Sequence, residues 1–226
     1  HPLYKLLWIP AICRLDRVIA NSNHTAEQLK KIGIDSSRIG IVNPGVSIPE
    51  HALPEPENNF RSKFYLNDGP ILLSIGRLAT RKGLLEFVRY SFPIILRERP
   101  DAILVVIGDA PTDSLHAKAQ TKVEIQKEAD AQRIGKNIVF LGKVTDMDLS
   151  NAYLSAAVHI FPVREIPGDP EGFGMVAIEA AAHGVPTVAF ATGGVVDAVQ
   201  DGNSGFLVES NNYQKFAELT LKALIA

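Results

Sequence analysis

From residue 70 onward, short apolar runs alternate with stretches of helical period, and no other feature of the chain narrows its fold so far. The runs lie at 71–75, 102–107, 138–141, 158–161, 186–190 and 205–208. Helical patterns fall between and after them, at 82–97, 113–134, 147–156, 174–183, about 195–199 and 213–225. Strand, helix, strand in this cadence is the βαβ signature. Residues 102–107 are apolar without alternation, as strands covered on both faces are. An α/β fold follows: a Rossmann-like, doubly wound parallel sheet whose ligands bind beyond the carboxyl ends of its strands. Pro93 sits inside the 82–97 pattern and should kink or split that helix.

The first fifty residues read differently. A helix is expected over 3–15, a short strand over 17–20, a helix over 25–32 and a second short strand over 39–42. Ser22 or Asn23 offers the cap of the second helix and Gly33 its stop. Two short strands cannot close a sheet of their own. Residues 1–49 are therefore expected to be the C-terminal remnant of a preceding domain, and 50–226 a domain in their own right. The stretch 49–69, rich in Pro, Glu and Asn, has linker composition. The chain has 226 residues, does not begin with methionine, and carries its two methionines deep, at Met147 and Met175. A piece of a longer protein is the expectation, since this length suits one domain plus part of another.

Composition removes several function classes. A formal charge of −2 gives no electrostatic reason to expect nucleic acid. The single cysteine, Cys13, excludes an intrachain disulfide and a four-cysteine metal site, and between Ile12 and Leu15 it reads as ordinarily buried. A reducing, cytoplasmic setting is the default. No apolar run approaches the roughly 18 residues that span a bilayer, and the first residues lack a signal-peptide pattern. The histidines at 24, 51, 116, 159 and 183 show no metal-ligand spacing, and His159, inside a strand, reads as a satisfied core residue. No Gly-x-Ser-x-Gly elbow is present, and no Gly-x-Gly-x-x-Gly follows the first strand of the sheet, which argues against a nicotinamide-binding domain.

The chemistry concentrates at strand ends. Gly172, Phe173 and Gly174 follow the run at 158–161 and open a helix that is apolar except for Glu179 and His183. Glycines at 172 and 174 permit close approach of a ligand to the backbone, and a helix N-terminus favours an anion. A helix apolar all round is normally buried, and a carboxylate on it needs a partner. Glu179 lies about 7.5 Å beyond Gly174 along an ideal helix axis, within reach of a sugar whose phosphates sit at the helix end. Glu171, just before the glycines, is either a ligand-binding carboxylate or an exposed loop charge. Arg77, Arg81 and Lys82 lie in the loop after the first strand, where a diphosphate would need cations. The alternative is a solvated loop with ordinary surface charges. Gly108, Gly142 and the pair Gly193–Gly194 fall at the same sheet edge. The segment 163–170, with Arg164, Glu165 and Asp169, either contacts a ligand or is simply exposed.

The order of these motifs closely resembles the retaining glycosyltransferases of group 1, also called family 4. The match runs through Gly76-Arg77, Lys82-Gly83, Glu171-Gly172-Phe173-Gly174, Glu179-Ala180, Gly193-Gly194 and the stretch from Gly202 to Val208. Residues 70 to about 223 resemble the C-terminal, nucleotide-sugar-binding half of a GT-B fold, in which two Rossmann-like domains face across a cleft. Residues 17–46 resemble the end of the N-terminal half. The resemblance implies that Arg77 and Lys82 bind the donor diphosphate beside Gly76 and stabilise the leaving nucleotide, with no metal or other cofactor. It implies that Glu171 holds donor-sugar hydroxyls, with the backbone from Gly172 through Phe173, Gly174, Met175 and Val176 alongside. Glu179 would accept from the ribose hydroxyls, and the backbone around Val144 would meet the base. The acceptor, a sugar or lipid-linked sugar, would bind through an N-terminal domain that is missing here, so the chain alone should be inactive. Peripheral membrane association would also pass through that domain. The insert 163–170 is similar to that of members using GDP-mannose, such as phosphatidylinositol mannosyltransferases. Two rival readings remain: a noncatalytic nucleotide-sugar-binding module, and a GT-B epimerase or hydrolase of sugar nucleotides.

Overall fold

The computed structural model describes residues 2–48, 60–110 and 120–225. Its first part runs α1 (Pro2–Cys13), β1 (Val18–Ala20), α2 (Asn23–Lys31) and β2 (Ile39–Ile41), with β1 and β2 paired in parallel. Ser22 is the cap of α2, accepting from the Thr25 amide at 3.0 Å. Cys13 is half-buried rather than buried, with its thiol 3.5 Å from the Ile32 carbonyl. Residues 49–59 of the expected linker lie outside the described residues, and its end forms a short helix, α3 (Phe60–Lys63), seated by the buried Phe60.

Six strands then build one sheet. They are β3 (Ile71–Ile75), β4 (Ile103–Ile107), β5 (Ile138–Gly142), β6 (Val158–Phe161), β7 (Thr187–Phe190) and β8 (Gly205–Val208). Their order is β5-β4-β3-β6-β7-β8, with every neighbouring pair parallel. The order reverses between β3 and β6, which makes the crevice above those two strands the expected ligand position.

The helices between the strands cover both faces, which explains why the strands carry no polar alternation. On one face Leu72, Leu104, Val106, Ile160 and Val188 pack under Phe87 of α4 (Leu84–Tyr90), Phe92 of α5 (Phe92–Glu98) and Phe216 of α10 (Tyr213–Ala223). On the other, Ile71, Leu73 and Val105 pack under Phe60 of α3, Tyr153 of α7 (Asp146–Ser155) and Ala180 of α8 (Met175–Ala182). A smaller cluster joins Phe161, Phe173 and Ala177 to Val195 and Ala198 of α9 (Val195–Ala198).

The helix expected over 82–97 divides at Ser91, and Pro93 falls in the first turn of α5, where a missing N–H costs nothing. Residues 80–82 form a 3-10 turn instead of opening α4. Of the helix expected over 113–134, residues 113–119 lie outside the described residues. The described part is α6 (Lys122–Ala131), opened by a Thr121–Glu124 capping box. Helix α8 differs in environment: only Ala177 and Ala180 are buried, and Met175 is exposed. Much of its apolar character is alanine, which favours a helix without demanding full burial.

Candidate functional site at the sheet switch point

The loop after β3 is held to the neighbouring strand end by Gly76 N–H donating to Ile107 O and Leu78 N–H donating to Asp109 O, both 2.9 Å. It then makes the 3-10 turn Thr80–Lys82, which turns Lys82 back over β6. The ammonium lies 4.8 Å above the Phe161 ring and donates to Glu171 Oε2 at 2.7 Å. Arg81 Nη1 reaches the same oxygen, and Arg81 Nε pairs with Asp169 at 3.2 Å. The side chains of Lys82 and Glu171 are only 16% and 12% exposed. Cutting one partner out of so enclosed an ion pair leaves a stranded charge, at a cost of about 3–5 kcal/mol. Burial pushes the Lys82 pKa down, Glu171 pulls it back up, and the Arg81 and Arg77 charges add to the depression.

The second wall is the start of α8. Gly174 has φ 102°, and a Cβ there would come within 2.8 Å of Phe161 Cε1, so only glycine fits. This turn opens α8 without a side-chain cap, and the Ala177 N–H closes back onto Gly174 O at 2.9 Å. The Gly193–Gly194 pair braces it from behind. Gly194 N–H donates to Glu171 O at 2.8 Å, and a Cβ on Gly194 would meet Gly172 O at 2.0 Å.

Glu179, one turn into α8, is half-buried and accepts from Tyr153 Oη at 3.0 Å. Burial raises the Tyr153 pKa first and the Glu179 charge adds to it, so the phenol remains a donor. His183 stacks on Tyr153 at 4.8 Å and bonds Ser150 at 3.1 Å. Val144 follows β5 at the same sheet edge and, half-buried like Leu141 and Leu149, packs against the core cluster that holds Tyr153. A cleft of about 490 Å³ opens beside Glu171, bounded by Thr192 and Gly193, by residues of 164–170, and by His24 and Gln28 of α2.

The structure thus gathers Gly76, Lys82, Glu171 and the Gly172–Val176 backbone at the switch point. Arg77 stands apart: its side chain is exposed and makes no ion pair among the described residues. Arg81 was named with Arg77 and Lys82 as a candidate cation, without a role of its own. Its position beside Lys82 was visible, but adjacency in a loop does not say which of two arginines turns inward. Asp169 was likewise undecided and is an ion-pair partner. His159 is buried as expected but only half satisfied, bonding Thr187 Oγ1 at 3.1 Å through Nδ1 while Nε2 has no partner among the described residues.

The family model for glycosyl transferases group 1 matches residues 56–225. The chain belongs to that family. Among curated relatives, the D-inositol 3-phosphate glycosyltransferase 2 of Catenulispora acidiphila is 31% identical over 205 residues, 89% of this chain and 46% of the relative. The D-inositol 3-phosphate glycosyltransferase of Mycolicibacterium smegmatis is 32% identical, over 92% of this chain and 45% of its own length. A GDP-mannose-dependent monoacylated alpha-(1-6)-phosphatidylinositol monomannoside mannosyltransferase of Corynebacterium glutamicum is 31% identical, over 76% of the chain and 43% of its own length. The chain spans about half the length of the curated relatives it matches. Among solved structures, Anabaena HepE in complex with UDP and glucose superposes at TM-score 0.78 with 20% identity, covering 96% of this chain and 55% of that one. Sucrose-phosphate synthase of Thermosynechococcus elongatus gives 0.78 at 23%, covering 100% and 53%. The group 1 chain therefore carries the fold of a GT-B glycosyltransferase domain.

Proposed function

We propose that this chain is the donor-binding part of a retaining, family 4 hexosyltransferase that moves a sugar from a nucleoside-diphosphate sugar to an acceptor hydroxyl. The observation that carries the reading is the pairing of Lys82 with Glu171 at 2.7 Å beside the open N-terminus of α8. Lys82, Arg77 and the α8 amides would take the diphosphate beside Gly76, and no metal is invoked. Glu171 would hold sugar hydroxyls, Glu179 the ribose, and the backbone near Val144 the base. In the reaction the bond from C1 to the donor phosphate oxygen breaks. A bond from C1 to the acceptor oxygen forms on the same face, and the acceptor proton passes to the departing phosphate. Fixed cations that meet charge as it develops on the leaving group would supply most of the acceleration.

Residues 1–49 are proposed to finish a preceding domain that binds the acceptor and any membrane surface. The exposed Ile19 and Ile41 on the two-stranded sheet support that, as does the span of the chain within its relatives. Among the described residues no helix is long and apolar enough to cross a membrane. We infer a cytoplasmic setting from the single cysteine. The names of the relatives support an inositol-bearing phosphate or lipid as acceptor.

Calorimetric titration with UDP, GDP and ADP, beside an Arg77→Ala/Lys82→Ala variant, tests the donor assignment. One nucleotide should bind and the variant should lose it. Retention of binding by the variant would remove both cations from the diphosphate site. In the longer parent protein, Glu171→Ala should abolish transfer. Donor breakdown without acceptor would favour the epimerase or hydrolase reading, and binding without any turnover the noncatalytic module.

A further inference from the structure

Arg81 is the one lysine or arginine among the described residues that is buried, at 8% exposure. It is tied three ways. Its Nε pairs with Asp169, its Nη1 with Glu171 Oε2, and its backbone carbonyl accepts the Arg164 amide at 2.7 Å. The turn that carries Lys82 is thereby fastened to both ends of the segment 164–169. Glu171 Oε2 meanwhile accepts from Lys82 as well, so one carboxylate oxygen is divided between two cations.

The charges decide what that division does. Arg81 and Lys82 face Asp169 and Glu171, two cations against two carboxylates, while the exposed Arg77 acts on Lys82 through its charge alone. Were Arg81 neutral, Lys82 alone would be left to answer Asp169 and Glu171. Lys82 would then close into an exclusive pair with Glu171, and an arriving anion would meet a masked lysine.

We propose that Arg81 is a positioning residue: by occupying Asp169 and sharing Glu171, it keeps the Lys82 ammonium available to an anionic ligand of the diphosphate class. This rests on the diphosphate assignment of the site. Only arginine serves both carboxylates, because its planar fork donates in two directions where lysine offers a single point charge.

The test uses the full chain and two readouts. One is calorimetry with inorganic pyrophosphate. The other is the titration of Lys82, followed by NMR of the ¹³C-dimethylated protein with the resonance assigned by Lys82→Arg. The groups acting on Lys82 are Glu171, Arg81 and Arg77, with the buried His159 imidazole also close enough to feel its charge. Arg81→Met should weaken pyrophosphate binding about tenfold, the usual scale for a charge-assisted contact, and move the Lys82 midpoint upward. Arg81→Lys should recover part of the affinity. If Arg81→Met fails to fold, Arg81→Gln keeps hydrogen-bonding capacity without the charge and should move both readouts the same way. Unchanged affinity and an unchanged midpoint would overturn the proposal. If the unaltered chain does not bind pyrophosphate, the diphosphate assignment falls. The Lys82 midpoint then judges Arg81 alone: upward movement supports its control of the lysine, and no movement overturns it.

Discussion

At the scale of single residues, the site is a problem of charges out of water. Lys82 and Glu171 were legible in the sequence because a cation after one strand and a carboxylate before a glycine-opened helix are both oriented by the fold they imply. The inward turn of Arg81 was not, since side-chain direction between β3 and α4 depends on contacts with Asp169 and Glu171, ninety positions away in the latter case. His159 supplies a pH prediction. Burial, with a smaller push from Lys82, lowers its pKa from near 6.5 to about 3. The unfolded chain binds a proton that the native chain refuses, so this residue's contribution is whole above pH 6.5 and is lost as pH falls toward 3. Urea unfolding midpoints measured across that window should fall steeply, and more shallowly in His159→Gln. Parallel curves for the two proteins would assign the acid lability elsewhere.

At the scale of elements, the strand and helix pattern was readable and its boundaries less so. Pro93 announced a break, and the break came two residues earlier, where Ser91 donates to Tyr213 O at 2.8 Å and closes the corner. The burial of α8 was overread, because alanines look apolar in a pattern yet need little cover. What does pin α8 is Gly174. Gly174→Ala would meet both a φ of 102° and the Phe161 ring at 2.8 Å. A residue forced into that region costs about 1–3 kcal/mol. Denaturant titration should show a loss at the upper end of that range. A loss below about 0.5 kcal/mol, the scale of a neutral surface change, would mean the turn relaxes freely.

At the scale of the molecule, one carboxylate helps tie the first part of the chain to the six-stranded sheet. Asp197 of α9, the short helix that follows Gly193–Gly194, accepts from the Asn23 backbone amide at 2.7 Å and from its side chain at 2.6 Å. It thus fastens α2 to the rim of the six-stranded sheet, beside the cleft at Glu171. The bonds are solvent-exposed, so their worth is about 1 kcal/mol. Asp197→Ala should speed amide exchange in the first turn of α2 and leave the global unfolding midpoint nearly unchanged. Undisturbed exchange there would show that other contacts hold α2.

The sequence by itself determined the parallel sheet, the switch-point loops and the residue types gathered there, because period and turn chemistry are local. It also carried the family, through motifs whose order survives without coordinates. Only the tertiary structure decided which cation is buried, that one oxygen of Glu171 serves both Arg81 and Lys82, and that Asp197 reaches Asn23. Those depend on side chains meeting across long stretches of chain, where burial and charge balance are set by packing that no local pattern encodes.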